Sequence, residues 1–535
     1  MKYRRLTLIS LVGVIAFTSG GWLFQGAGVD ADARRNARTF QRVIQLISRY
    51  YVDSLDESQL YDMSIDGMLD QLNDPYTSFL RRQGFQELSI NTTGSYGGVG
   101  LRIDLRDGWV TVVTPIADSP AERAGLTSGD QIVEIEGRST KGWSTQDAAD
   151  VLRGDPGTRT EMTVVRAGFA DSLHFTLTRD HIHVNPVEGV MMLGSDVGYM
   201  RLITVSEDAA TETRQAVDSL RAMGARTLIL DLRGNPGGIL DQGVALADLF
   251  LDRNEVVVET RGRAPQATAT YRAEQDERWP DLPVVALVNR QTASAAEILA
   301  GALQDHDRAL LVGTPTFGKG VAYFFLPLTE TEAVTVTSSR WYTPSGRSIQ
   351  RQSSNAHPRT REMQALAAAP VADSTAVFVT DGGRRIQAGS GGIQPDVVVT
   401  PDTLTDAERA FADALGSKVP VYNNVMSRYA LEAKGEHLVE SPDFRATDAM
   451  LHGVLDLLHE RGVEMDSATF FGAKDLIAER LESELTRYAF GREAELRRLV
   501  LRDRQVERAV SLLERSRTPE ELITRVGAEA ATGHN

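Results

Sequence analysis

The chain has 535 residues, 42% hydrophobic and 24% charged, and its 57 basic against 73 acidic side chains leave a net charge of −16. That length asks for several domains rather than one core, and the charge speaks against a nucleic-acid binder, which needs a basic face to meet phosphates. Cysteine is absent, which removes disulfides, thiolate nucleophiles, zinc–thiolate sites and cysteine-linked lipid anchors.

Lys2, Arg4 and Arg5 precede a mostly apolar run from Leu6 to Phe24. A basic flank and an apolar run make an export signal, and this run approaches bilayer-spanning length. No clean small-x-small cleavage site follows, so residues 1–28 read as a signal sequence or membrane anchor, with the uncleaved anchor preferred. Phe40, Val43, Ile44 and Ile47 then recur at helical spacing, and a second helix reads from Gln59 to Leu72. Residues 29–87 form a small helical segment.

Residues 88–182 change to short strands and glycine turns. Gly97, Gly98 and Gly100 open them. Strands are expected at 110–113, 131–135 and 162–165, with a helix from Ser144 to Leu152, giving an all-β barrel with one helix. Residues 183–400 alternate strand and helix. A strand at 199–204 leads to a helix capped by Ser206 and stopped by Gly224. A buried strand at 227–232 runs into the turn Gly234-Asn235-Pro236-Gly237-Gly238. Further strands at 284–288 and 309–312 flank a helix starting near Ser294. This alternation implies an α/β core with partly parallel strands. Residues 401–535 read as charged helices, an accessory or oligomerisation segment without visible chemistry.

Two segments carry the chemistry. Gln291-Thr292-Ala293-Ser294-Ala295-Ala296-Glu297 sets a serine among small residues at a helix start, and Thr316-Phe317-Gly318-Lys319-Gly320 sets a lysine between glycines. A serine needs a base to take its proton, and a lysine can be that base if burial lowers its pKa. The second segment nearly matches a phosphate-binding loop. That reading fails because Gly320 stands where Ser or Thr should hold magnesium and a strand follows where a helix is needed. A triad through His306 fails on distance, since twelve residues of helix separate it from Ser294, and His306 reads as a helix-end surface residue. His181 and His183 share a strand face and read as a structural pair, so no metal is expected. The Ala295 amide near a helix start and the Gly237-Gly238 turn can supply oxyanion donors.

With these residues in view, the chain from about Val43 to Val399 resembles the carboxy-terminal processing, or tail-specific, proteases. The resemblance rests on Tyr51-Val52, Gly67-Met68-Leu69 and Asp74-Pro75-Tyr76; on Tyr96-Gly97-Gly98-Val99-Gly100-Leu101, Pro120-Ala121 and Gly129-Asp130; on Leu230-Asp231-Leu232-Arg233 with Asn235-Pro236-Gly237-Gly238; on the Ser294 and Lys319 segments; and on Thr343-Pro344-Ser345-Gly346 and Gly392-Ile393-Gln394-Pro395-Asp396. It implies a multidomain α/β chain: a crotonase-like core carrying an inserted PDZ β-barrel, with N-terminal helices and a C-terminal helical extension. It implies Ser294 as nucleophile, Lys319 as general base, Ala295 with Gly237 and Gly238 as oxyanion hole, and no cofactor. Asp305 falls where some members carry a supporting aspartate. Tyr96, Gly97, Gly98, Val99, Gly100 and Leu101 fall at the peptide-binding entry, and Arg153 where a PDZ arginine couples peptide to active site. One departure matters: Tyr323 stands where glutamine usually holds the lysine. Its hydroxyl could bond Lys319, or its ring could meet Arg153.

The expected activity is serine endopeptidase processing of exported proteins from disordered C-terminal tails, in the cell envelope or periplasm, with the N-terminal segment in the membrane. An adaptor and a homo-oligomer are admitted as partners; nucleic acid is not. The competing readings are a catalytically silent peptide-binding scaffold, favoured only by Tyr323, and a crotonase-like acyl transferase, which has no use for a PDZ domain.

Overall fold

The computed structural model describes residues 31–351 and 376–531; the expected anchor over residues 1–28 lies outside them. Among the described residues no helix is long and apolar enough to cross a membrane. They fall into two compact units, residues 31–79 and residues 80–351 with 376–531. The first unit holds helices Ala31–Tyr50 and Glu57–Leu72. Asp56 caps the second by accepting from Ser58 N–H, with Gln59 completing the box, and Asn73 ends it in the left-handed region.

In the second unit, strands Leu101–Arg106, Trp109–Pro115, Gln131–Ile135, Arg159–Val165 and Leu173–Thr178 form one sheet in that order. All its ladders are antiparallel. The helix Thr145–Leu152 starts one residue after the expected Ser144, which caps it instead: its hydroxyl accepts from Asp147 N–H. Val110, Val112, Ile132, Ile135 and Val164 are sealed from solvent and form a core of their own. The pair Ser95–Gly98 and Asp180–His183 frames this segment.

The central sheet runs Val187–Leu193, Val197–Leu202, Thr227–Asp231, Val284–Val288, Leu310–Gly313 and Val397–Val398. Only the first pair is antiparallel; the rest are parallel. Strands 227–231 and 284–288 are buried throughout, as parallel strands covered on both faces require. One face packs the helices Ala209–Ala222, Leu240–Asp248 and Ala295–Asp305. The first of these starts at Ala209, after Asp208, rather than at the expected cap Ser206. The other face is covered by the C-terminal helices: Leu496, Val506, Ala509 and Leu512 pack on Ile229, Val285, Leu287 and Leu310. Part of the extension expected to be accessory therefore completes the central core. The remainder, from Phe411 to Tyr488, has a separate core. Val377–Val379 pairs antiparallel with Arg385–Gln387; residues 352–375 lie outside the described residues.

Candidate active site

Ser294 sits between strand Val284–Val288 and helix Ala295–Asp305 with φ 55° and ψ −121°. A side chain at positive φ is strained, so its surroundings must hold it. Ala293 N–H donates to Asn235 O at 2.9 Å and Thr292 N–H to Asn289 O at 2.9 Å. The Thr292 hydroxyl donates to Leu232 O at 2.9 Å, and Ser294 N–H to Glu297 Oε2 at 2.8 Å. The bend lifts the serine out of the helix while leaving it at the N-terminal end, where partial positive charge collects.

Glu297 is fully buried and joins the two sequence segments. Its Oε2 takes the amides of Ser294 and Lys319, at 2.8 and 2.9 Å. Two nitrogens bonded to one oxygen can lie no farther apart than those distances together. Its Oε1 takes Gly318 N–H at 2.7 Å and the Thr316 hydroxyl. Burial pushes this carboxyl above its usual range, and the four donors pull it back. The sequence reading passed over Glu297; its signal was the Ser-x-x-Glu spacing of a capping box at the helix start.

Lys319 is half-buried. Burial lowers its pKa and the Glu297 charge opposes that shift. Its Nζ lies 4.8 Å from the centre of the Tyr323 ring, and its carbonyl accepts from Trp341 Nε1 at 3.0 Å. The suggested Tyr323–Arg153 contact is not formed. Arg153 lies over Tyr96 instead, 5.6 Å from that ring centre.

The oxyanion candidates separate. Gly237 N–H donates to Asn235 Oδ1 at 2.8 Å, so that amide is engaged. Gly238 carries the opening in the ladder: Val205 N–H reaches Gly237 O and Ile239 N–H reaches Val205 O, passing over the Gly238 amide. Among the described residues no acceptor is recorded for the amides of Gly238 and Ala295. Gly237 contributes through its missing side chain. A Cβ there would stand 2.6 Å from Ala293 O and 2.8 Å from Ser294 Cβ, at φ 88°. Gly237→Ala is therefore expected to lower peptidase activity at least 100-fold, measured on a tail-bearing protein, while peptide binding at the Tyr96–Leu101 entry is kept.

Asp305 is not brought to the serine. It ends the same helix, about 16 Å along at ~1.5 Å per residue. There it is buried, paired with Arg347 and accepting Ser345 N–H at 2.9 Å. This corrects its expected place in the site: it fastens the 343–347 turn. His306 is likewise no free surface residue. Its Nδ1 lies 2.6 Å from Asp381 and its Nε2 2.7 Å from Val256 O. By spacing, His183 with Asp208 and Glu212, or Glu255 with His306 and Asp381, could hold a metal. Neither group includes Ser294 or Lys319.

A groove of about 230 Å³ runs between strand 101–106 and helix 145–152, lined by Tyr96, Gly100, Leu101, Ile103, Leu152 and Arg153. Ala121 N–H bonds Val99 O and Ile116 N–H bonds Gly100 O, both at 2.9 Å. In trans peptides this turns the Gly100 and Leu101 amides the opposite way. At Gly97 a Cβ would stand 2.3 Å from Gly154 O, which explains the glycine; Gly98 ends the same strand and Val99 follows it.

Such a strained serine, a half-buried lysine and a groove beside a strand point to a hydrolase of polypeptides. The chain matches "Peptidase family S41" over residues 196–358, "PDZ domain" over 111–166 and "Activating protease CtpB N-terminal domain" over 25–84. It is 36% identical over 315 residues to a carboxy-terminal-processing protease of Bartonella bacilliformis, covering 58% of this chain and 72% of that one. It is 40% identical over 286 residues to the carboxyl-terminal-processing protease of Synechocystis, covering 52% and 66%. Among solved structures, a photosystem II D1 C-terminal processing protease aligns with 68% of this chain and 93% of its own, at 29% identity and a TM-score of 0.34. The chain belongs to the carboxy-terminal processing proteases of peptidase family S41 and is a serine-type endopeptidase.

Proposed function

We propose that the enzyme cleaves proteins presented by their disordered C-terminal tails through a Ser294–Lys319 dyad. The observation that carries this reading is Glu297, which gathers the Ser294 and Lys319 amides on one oxygen. Lys319, neutral, takes the Ser294 proton as Ser294 Oγ attacks the scissile carbonyl, and the Ala295 and Gly238 amides receive the oxyanion; the C–N bond then breaks as Lys319 passes that proton to the leaving amine, and water, deprotonated by the neutral Lys319, hydrolyses the acyl-enzyme and restores Ser294. The tail adds beside strand 101–106 by main-chain pairing, with its carboxylate at the Gly100 and Leu101 amides. Arg153, over Tyr96 at the same groove, couples occupancy to the core.

The substrates are exported proteins, and the enzyme works in the cell envelope, anchored by residues 1–28. The basic flank and apolar run of that segment support this. The parallel sheet with the nucleophile on a helix packed against it fits a crotonase-like core.

The pH profile tests the base. A lysine whose pKa is lowered binds its proton less readily in the fold than in the unfolded chain. Activity is absent while Lys319 is charged and rises with pH through its lowered pKa, below the ordinary 10.5. Stability rises across the same interval, because the unfolded chain still binds the proton there. The check is kcat against pH on a protein with a nonpolar disordered tail. An acid limb centred at or above 10.5 would count against Lys319 as base, and wild-type and Ser294→Ala enzymes that leave the substrate equally intact would favour the silent scaffold.

A further inference from the structure

The turn that presents the Gly238 amide is fastened from outside the segments that form it. It holds three glycines at positive φ, Gly234, Gly237 and Gly238, and such a turn wanders unless anchored. Its downstream end is fixed by the Val205 ladder. Its upstream end borders a cavity of about 490 Å³ lined by Arg201, Arg233, Gly234, Asn289, Gln291 and Asp503, so apolar packing does little there. Hydrogen bonds take over. Gly234 N–H reaches Asn289 Oδ1 at 3.1 Å. The Arg233 guanidinium holds Asp231, its own strand neighbour, at 2.9 and 2.6 Å. Its remaining arm crosses to the C-terminal extension, reaching Asp503 Oδ2 at 2.6 Å and Gln505 Oε1 at 2.8 Å.

Both receivers are rigid. Asp503 caps helix Arg504–Leu513, accepting from Gln505 and Val506 N–H. That helix buries Val506, Ala509, Leu512 and Leu513 on the central sheet.

We propose that Asp503 and Gln505 are positioning residues for the oxyanion turn, acting through Arg233, so that the C-terminal extension belongs to the catalytic unit. The inference rests on the reading of Gly238 as an oxyanion donor. The test uses the full chain with Asp503→Ser and Gln505→Leu together. Serine keeps a capping oxygen for the helix but is too short to reach Arg233.

The expected result is a kcat lowered on the order of tenfold or more, with KM within about twofold. Inhibition by a peptide aldehyde, whose adduct carries the oxyanion, should weaken by about the same factor. Asp503→Asn, which keeps the cap and an acceptor but loses the charge, should fall between. An active wild type with unchanged kcat and aldehyde affinity in the double variant overturns this inference alone. A kcat and KM that fall only in step with Tm, in Asp503→Asn as in the double variant, also overturn it. Wild type and Ser294→Ala cleaving alike would overturn the dyad reading instead.

Discussion

Lys319→Ala is expected to lower kcat by about 10³-fold while KM stays near the wild-type value. General-base removal has that scale, and the ammonium is given no part in holding the substrate tail. The chain path should survive the change, because the bonds that fix this segment are made by its backbone: Lys319 N–H to Glu297, and Lys319 O from Trp341. Truncating the side chain leaves these two backbone bonds in place. A small primary amine in the buffer should restore part of the rate in this variant alone, by occupying the space the lysine side chain leaves beside Tyr323. The measurement is steady-state cleavage of a tail-bearing protein, with and without added amine. A variant retaining a tenth of wild-type kcat would remove lysine from the mechanism.

Glu297→Gln is expected to harm both fold and rate. Each carboxylate oxygen accepts two donors, Gly318 N–H and the Thr316 hydroxyl on one, Ser294 and Lys319 N–H on the other. A glutamine keeps one such oxygen and turns an amino group toward two donors. Leaving buried donors unmet at a formerly charged acceptor costs about 3 kcal/mol, to be read in denaturant unfolding. The rate should fall on the order of 100-fold, since the nucleophile and base segments lose their common tie. The sign of a third effect follows from charge. Glu297 raises the Lys319 pKa in the native enzyme, so its neutralisation should move the acid limb of kcat to lower pH. A limb that stays in place while kcat falls would mean that Glu297 acts on geometry only.

The parts of the fold set by local pattern were legible in the sequence. The strands at 131–135 and 284–288 fall at the expected residues, because alternating or continuous apolar runs bounded by turn residues leave little choice of length. The helix expected from Ser144 to Leu152 falls within one residue of its place, at Thr145–Leu152, for the same local reason. What escaped depends on long-range pairing. Helix 209–222 starts after Asp208 because Val205 is claimed by the Gly237–Ile239 ladder and Ser206 follows it into the interior. The place of helices 492–500 and 504–513 on the sheet follows from which face of Ile229 and Leu287 stays open, which no window of sequence contains.

At the candidate site, Ser294, Lys319, Ala295 and the glycine turn were proposed from residue type and neighbourhood. Glu297 was missed because a glutamate in the first turn of a helix usually just caps it. Asp305 was misplaced because only the length of the helix shows that it points to Arg347 rather than to Ser294. Which of two adjacent glycines offers its amide turns on the side chain of Asn235, a detail of geometry without a sequence signal.

Covalent labelling tests the dyad most directly. The full chain is treated with an organophosphonate reactive toward activated serines, across pH, and the modified peptide is identified by mass spectrometry. Label on Ser294, at a rate that climbs with pH through the lowered pKa of Lys319 and vanishes in Lys319→Ala, is the predicted result. Label on another residue, or on Ser294 at an unchanged rate in Lys319→Ala, would contradict it.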